Sequence, residues 1–514
     1  MAIDERWQQL GSYAGLINLE NTEFREYQYN IIRSIHQNGN TLVVLPTGLG
    51  KTFIAVAAIA KAIADGKRAL LMAPTKPLSE QHYNTIANQL KIPKEEILLL
   101  TGTTSKKARE ANIAKVIVAT PQTVANDVKS AMLGLEGFGV AVFDECHRAV
   151  GKYAYTYIAN ECTVRDILVV GLTASPGSKK EKIEELVGTL NIRHIEARVS
   201  TDGDVVKYIM PKYVHIVNVR QTDRIKEISK LLVPEIEASM DSLRHMGLMH
   251  FKSFQNMPKG RLIALGREIE KIEARNYKFG AIFGYVKLLN LLHAYDLLVV
   301  EGISPFLSYM NSLHAREKKS RAVEYLLNNR NIMAAKSLAE ESVRRSEEHG
   351  KVFALIDVLK NYRGKSAIVF AQYRSTIRML VEFLNNNGFS SVPFVGKKEG
   401  VTQLQQKQVI EDFRNRKFDI LVASSIGEEG LDIPSVDLVV FYEAIPNEIR
   451  NIQRKGRTGR FRDGDIYILV AEGTKDEVYL RVSGQKEEKM RMLINSLNRK
   501  LAESYQLGKG QKQL

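Results

Sequence analysis

Two textures alternate along this chain. From about residue 40 to 205, continuous apolar runs at 41–45, 69–72, 116–119, 140–143 and 167–172 are separated by stretches of helical spacing. A strand with one wet face alternates polar and apolar residues. An unbroken run predicts burial on both faces, hence a parallel sheet with helices on each side. The same grammar returns at 367–370, 420–423, 438–441 and 466–470, and 214–219 reads as a further strand of that second sheet. Between the two halves, from about 221 to 345, Leu, Ile, Lys, Glu and Arg recur at helical intervals. Ile225, Ile228, Leu232, Ile236 and Leu243 form one predicted stripe; Phe279, Ile282, Phe283, Val286, Leu289 and Leu292 form another. The expected architecture is α/β. One sheet domain occupies 1–205, a second is built from 206–220 and 346–500, an all-helical insert spans 221–345, and a polar tail covers 501–514.

Composition narrows the class. The 514 residues are 44% hydrophobic and 25% charged, the balance of a folded globular chain with several cores. There are 73 basic and 58 acidic residues, a net charge of +15, which favours a polyanionic partner, nucleic acid first. The insert is no more basic than the whole, whereas 451–514 carries 14 basic against 8 acidic residues. Two cysteines, Cys146 and Cys162, exclude a disulfide framework and a four-cysteine zinc site. The first residues are acidic where a secretory signal is basic, and the apolar run 53–60 is too short to span a bilayer. The expectation is a cytoplasmic, nucleoid-associated protein, not secreted and without a membrane partner.

Three groups of residues carry chemistry. Leu45-Pro46-Thr47-Gly48-Leu49-Gly50-Lys51-Thr52 lies between a predicted strand and an Ala/Ile-rich helix. Gly48 and Gly50 let backbone N–H groups turn toward a phosphate, beside the positive end of the helix. Lys51 supplies a fixed cation for the β- and γ-phosphates, and the Thr52 hydroxyl can ligate Mg2+. Leu45 stands where the general phosphate-loop pattern has its first glycine. The second group is Asp144-Glu145-Cys146-His147, at the end of the apolar run 140–143. Ligands of open parallel sheets bind beyond the carboxyl ends of the strands, so Asp144 is expected to share a crevice with Lys51. Asp144 would hold Mg2+ through its waters and Glu145 would deprotonate the attacking water. The third group, Gln453-Arg454-Lys455-Gly456-Arg457-Thr458-Gly459-Arg460, lines up guanidinium forks suited to a phosphoryl group in transfer, or to a phosphate backbone.

Taken together these residues resemble superfamily 2 helicases. The loop at 48–52, Asp144-Glu145-Cys146-His147, Gly171-Leu172-Thr173-Ala174-Ser175-Pro176 and the 453–460 segment are similar in order and spacing to that superfamily's motifs I, II, III and VI, across about residues 20–470. The DECH box, the GLTASP segment and the long helical insert resemble the archaeal Hef helicases and the FANCM branch. His147 as fourth letter differs from the DEAD-box RNA helicases, and no acidic nuclease signature follows residue 470.

The resemblance implies two RecA-like domains and an ATP- and Mg2+-dependent motor. It assigns Arg25 and Gln28, supported by Tyr27, to the adenine side, and Thr47, Gly430 and Asp432 to the nucleotide pocket. Lys51, Glu145, Gln453, Arg457 and Arg460 become catalytic, with Thr52 and Asp144 as metal ligands. Thr173 and Ser175 would couple hydrolysis to strand movement. Pro74, Thr75, Lys76, Thr101, Gly102 and Thr120 in the first domain, and Gln372, Val395, Gly396 and Ser424 in the second, are implied to hold nucleic acid, with the insert gripping duplex or branched DNA. The implied activity is ATP-driven helicase or translocase action on forked DNA. An RNA helicase or duplex-RNA sensor, and an ATP-switched clamp that does not unwind, use the same engine.

Overall fold

The protein is described by a computed structural model covering residues 4–510 except 21, 106–108, 110–113, 200–201, 209–211, 256, 397–401, 425–433, 435 and 445–463. The first half forms a seven-stranded sheet: β1 (Thr41–Val44), β2 (Arg68–Met72), β3 (Ile97–Leu100), β4 (Val116–Ala119), β5 (Phe138–Asp144), β6 (Leu168–Thr173) and β7 (His194–Ala197). Their order is β3-β4-β2-β5-β6-β1-β7, every pair parallel. The second sheet contains β8 (Lys212–Val219), β9 (Ala367–Phe370), β10 (Ser391–Phe394), β11 (Ile420–Ala423), β12 (Leu438–Phe441) and β13 (Gly464–Ala471), in the order β10-β11-β9-β12-β13-β8, again all parallel. Residues 212–219 thus lie at the sheet's edge beside β13, far from their sequence neighbours. β1, β4, β9, β11 and β12 are buried at every position, as their unbroken apolarity requires.

Two strands, β7 and β10, escape the apolar-run rule, while β3 (Ile97-Leu98-Leu99-Leu100) obeys it although it was not among the runs expected above. All three are sheet edges. An edge strand pairs on one side only and tolerates polar residues; Pro393 inside β10 removes an N–H that no neighbour needs.

Helices α1 (Glu26–Asn38), α2 (Lys51–Ala64) and α3 (Lys76–Gln89) pack in the first domain. The insert runs in helices from Asp223–His245 to Arg330–Arg344. The stripe on Asp223–His245 is buried as expected, with Ile225, Ile228, Leu232, Ile236 and Leu243 all inside. The stripe expected on Arg275–Asp296 is buried at Leu292 alone: Phe279 and Ile282 are exposed, and Ala281, Gly284, Leu288 and Leu291 face inward instead. The reason is steric. A Cβ built on Gly284 would lie 3.2 Å from Leu243 Cδ2, so a residue without a side chain lets the two helices approach there, and Leu288 and Leu291 follow on the same buried face. With its π-helical extension Leu297–Glu301, this helix is also the one among the described residues long and apolar enough to cross a bilayer by composition, but half of that window is buried within the fold.

The chain ends differently from expectation. A single helix, Lys475–Gly510, passes through position 501, where a polar tail was expected to begin, and leaves the second sheet for the first. Met490, Ile494 and Leu497 are buried in the first domain's core, and Asn498 Oδ1 accepts the Ile195 N–H at 3.2 Å. Its apolar positions are sparse in a charged sequence, so the stripe is visible only once its partner surface is known.

Candidate active site

The phosphate loop follows β1 and opens α2. Gly48 (φ 89°) and Gly50 (φ 71°) occupy the left-handed region that glycine favours, and Gly50 is the N-cap of α2. A Cβ at Gly50 would also meet the Gln28 amide nitrogen and displace it from the loop carbonyl it donates to. Lys51 Nζ donates to Leu45 O at 3.0 Å. Thr47 and Thr52, on either side, are half-buried. From α1, Tyr27 Oη donates to Leu49 O at 2.7 Å and Gln28 Nε2 to Leu49 O at 3.2 Å, so both side chains brace the loop. Arg25 packs over the Tyr208 ring at 5.3 Å and pairs with Glu23.

Asp144 ends β5, two strands from β1 across β6, at the same carboxyl edge of the sheet. Its Oδ2 lies 2.8 Å from His82 Nε2 on α3. Burial pushes this carboxyl up, but the His82 imidazole, Lys51 and the Glu145 N–H outweigh it and hold Asp144 below the ordinary aspartate value. No motif in the sequence marks His82. Glu145 follows with φ 47°, ψ 46°, a left-handed conformation rare for a non-glycine and the kind of local strain that collects at functional sites. Its Oε2 is buried with no hydrogen-bond donor among the described residues and stands 3.3 Å from His147 Nδ1, off hydrogen-bond geometry. His147 Nδ1 is in turn 3.2 Å from Thr173 Oγ1, and Thr173 accepts the Ser175 N–H at 3.1 Å. The box is therefore joined to the GLTASP segment by side-chain contact. Ser175 Oγ donates to Met490 Sδ at 2.9 Å, which puts this segment under the C-terminal helix.

A Mg2+ ion fits these donors. Among the described residues no three His, Cys, Asp or Glu groups form a cage, but one ionised carboxylate and one hydroxyl near a phosphate loop are what this ion, which keeps most of its waters, requires. Buried Cys146 is unsuited to metal or redox chemistry: burial pushes its thiol well up, away from the thiolate form.

The two domains present matching rims. In the first, Pro74 and Thr75 follow β2, Thr101 and Gly102 follow β3, and Thr120 follows β4, three neighbouring strands. Thr75 and Thr120 are helix N-caps, Lys76 Nζ donates to Thr103 Oγ1 at 3.0 Å, and Thr101 is buried with Oγ1 3.1 Å from Thr103 Oγ1. In the second, Gln372 follows β9, Val395 and Gly396 follow β10, and Ser424 follows β11, again three neighbours. Arg374 Nη2 donates to Gly396 O and Gln406 Nε2 to Val395 O, while the Ser424 hydroxyl is buried without a hydrogen-bond partner among the described residues. Gly430, Asp432, Gln453, Arg457 and Arg460 lie outside the described residues.

Comparison with known proteins follows this division. Residues 21–178 match the family model described as the res subunit of type III restriction enzymes, and 350–462 match the helicase conserved C-terminal domain. These are the two halves of a superfamily 2 helicase. The crystal structure of the Pyrococcus furiosus Hef helicase domain superposes with a TM-score of 0.71 at 37% sequence identity, covering 91% of this chain and all of that one. The chain belongs to the Hef and FANCM-type family of helicases. A Methanocaldococcus jannaschii protein named as an ATP-dependent RNA helicase is 35% identical over 494 residues, 94% of this chain and 62% of that one. The ATP-dependent DNA helicase mph1 of Neurospora crassa is 31% identical over 499 residues, 91% of this chain and 43% of that one. The chain thus spans less than two thirds of the length of these relatives.

Proposed function

We propose that the protein is an ATP-driven helicase or translocase that works on forked or branched DNA, at the nucleoid, in repair or fork restart. The observation that carries the proposal is the pairing of two parallel sheets with matching hydroxyl- and amide-lined rims, one of them holding the phosphate loop and the Asp144-Glu145 pair. Rims of this kind grip a phosphate chain without reading bases, as stepping along a strand requires. Lys51 and the loop amides bind the β- and γ-phosphates, and Arg25 and Gln28 sit on the adenine side. Thr52 and Asp144 hold Mg2+, which when bound neutralises developing phosphate charge. Glu145, whose Oε2 is buried without a hydrogen-bond donor among the described residues, takes the proton of the attacking water. Gln453, Arg457 and Arg460 act from the segment that follows Ala444, and Gly430 and Asp432 complete the pocket. Thr173 and Ser175 transmit the state of Glu145 through His147. An RNA substrate is the second reading, favoured by the name of the Methanocaldococcus relative.

The test is ATPase rate across single-stranded, duplex, forked and four-way DNA and matched RNAs, at stated salt because phosphate binding weakens with it. Strongest stimulation by forked DNA is expected. Preference for duplex RNA would move the assignment to RNA, flat rates would remove nucleic acid from it, and tight ATP-dependent binding without strand displacement would make the protein a clamp.

A further inference from the structure

Helix α3 touches three functional regions at once. Its N-cap is Thr75, and its first residue, Lys76, donates to Thr103 on the neighbouring rim loop. One turn on, Glu80 Oε2 accepts from Lys407 Nζ of the second domain at 2.5 Å. Two turns on, on the same face as Thr75 and about 10 Å along the axis, His82 meets Asp144 at 2.8 Å. Ser79 Oγ, within hydrogen-bond distance of Ala73 O and Ala119 O, pins the helix over the sheet between these points. The His82 and Asp144 side chains are each about nine-tenths buried, and His82 Nδ1 has no partner among the described residues. The ring is therefore oriented by packing and by Asp144, and the Nε2 contact constrains both groups. A displacement of the helix at its rim end, or of the second domain acting on Glu80, must move His82 against the carboxylate.

We propose that His82 is a positioning residue that couples occupancy of the nucleic-acid rim to the Asp144 carboxylate. The inference rests on the function proposed above and adds to it the residue through which the rim and the nucleotide site communicate. The imidazole donates to the outer carboxylate oxygen and sets its angle, as a group behind a metal ligand does. When nucleic acid seats α3, the angle suits the nucleotide-bound state; when it leaves, the carboxylate is mis-set. By linkage, the bound nucleotide must raise nucleic-acid affinity by the factor with which nucleic acid raises nucleotide affinity.

The experiment measures that factor directly. A fluorescently labelled forked DNA is titrated, by anisotropy, with and without a non-hydrolysable ATP analogue and Mg2+, for the parent protein and for H82L, H82Q and H82N. Glutamine can place its amide where Nε2 stands, whereas asparagine stops a bond short. The parent is expected to show a coupling factor in the common range of about 5- to 150-fold. H82L and H82N should bring it close to one with the nucleotide-free DNA affinity within about threefold of the parent, and H82Q should keep most of it. A merely structural histidine would shift stability or both affinities together and leave their ratio alone. Parent-like coupling in H82L, or equal coupling in H82Q and H82N, overturns the inference. Absence of coupling in the parent itself overturns the proposed function as well, so the two failures are distinguishable.

Discussion

Lys351 and Asp476 form an ion pair with essentially no solvent exposure, 125 residues apart in sequence. Asp476 also accepts the N–H of Ala444 at 3.1 Å and of Ala471 at 3.0 Å, tying together the ends of β12 and β13, and Lys351 Nζ donates to Val300 O in the π-helical turn that ends the insert's long helix. Replacing Lys351 by Met preserves most of the packing volume but leaves the carboxylate buried without its cation. Breaking a buried pair on one side costs about 3–5 kcal/mol. The two N–H donors that stay on Asp476 keep the cost near the lower bound, about 3 kcal/mol. At about 2–4 °C per kcal/mol for a domain of this size, the second domain's transition should fall by about 6–12 °C. Removing both charges in K351M/D476N takes away the unpaired buried charge, but one amide oxygen can accept only one of the two strand-end N–H groups, so the double variant should recover part of the loss rather than all of it. Calorimetry combined with hydrogen exchange at the Ala444 and Ala471 amides reads the right region; fluorescence of the single tryptophan, Trp7, reports the first domain's core instead. A K351M transition within 2 °C of the parent, or a double variant no more stable than K351M, would refute the reasoning.

Three further outcomes are expected. Glu145→Gln should bind nucleotide like the parent and lose about 100-fold or more of its turnover; equal turnover would remove Glu145 as the base. His349 is buried, with Nε2 3.1 Å from Val299 O and Nδ1 accepting the Lys351 N–H, and burial first, then Lys351, bring its value down to about 3. The unfolded chain therefore binds a proton between about pH 6.5 and 3 that the fold refuses, so stability present above pH 6.5 is lost as pH falls through this window, by up to about 1.4 kcal/mol per unit. His349→Gln should flatten that slope in urea titrations at pH 7 and pH 5.5. Met490→Ala should cost about 2–3 kcal/mol of the contact between the C-terminal helix and the first domain, seen as faster proteolysis within 475–510 with the first-domain core unchanged.

Much of this architecture is legible in the residues. The runs at 116–119, 367–370, 420–423 and 438–441 coincide with strands residue for residue, because a strand buried on both faces admits no polar side chain and announces itself locally. The phosphate loop and the acids at the end of β5 are legible for a related reason: their chemistry demands particular side chains at particular offsets, and both elements that frame them are local. What the chain by itself determined, then, is which segments are interior strands, which glycine-bearing loop joins a strand to a helix, and where two acids end a strand. The rest was decided by tertiary structure. The inward face of Arg275–Asp296 follows from how closely Leu243 approaches Gly284, and the edge strands follow from having one neighbour rather than two. His82 meets Asp144 across 62 residues, Lys351 meets Asp476 across 125 and Ser175 meets Met490 across 315. No local period encodes such distances: each pair exists because packing of whole helices on whole sheets brings the two side chains to one place, and only there do they acquire their partners.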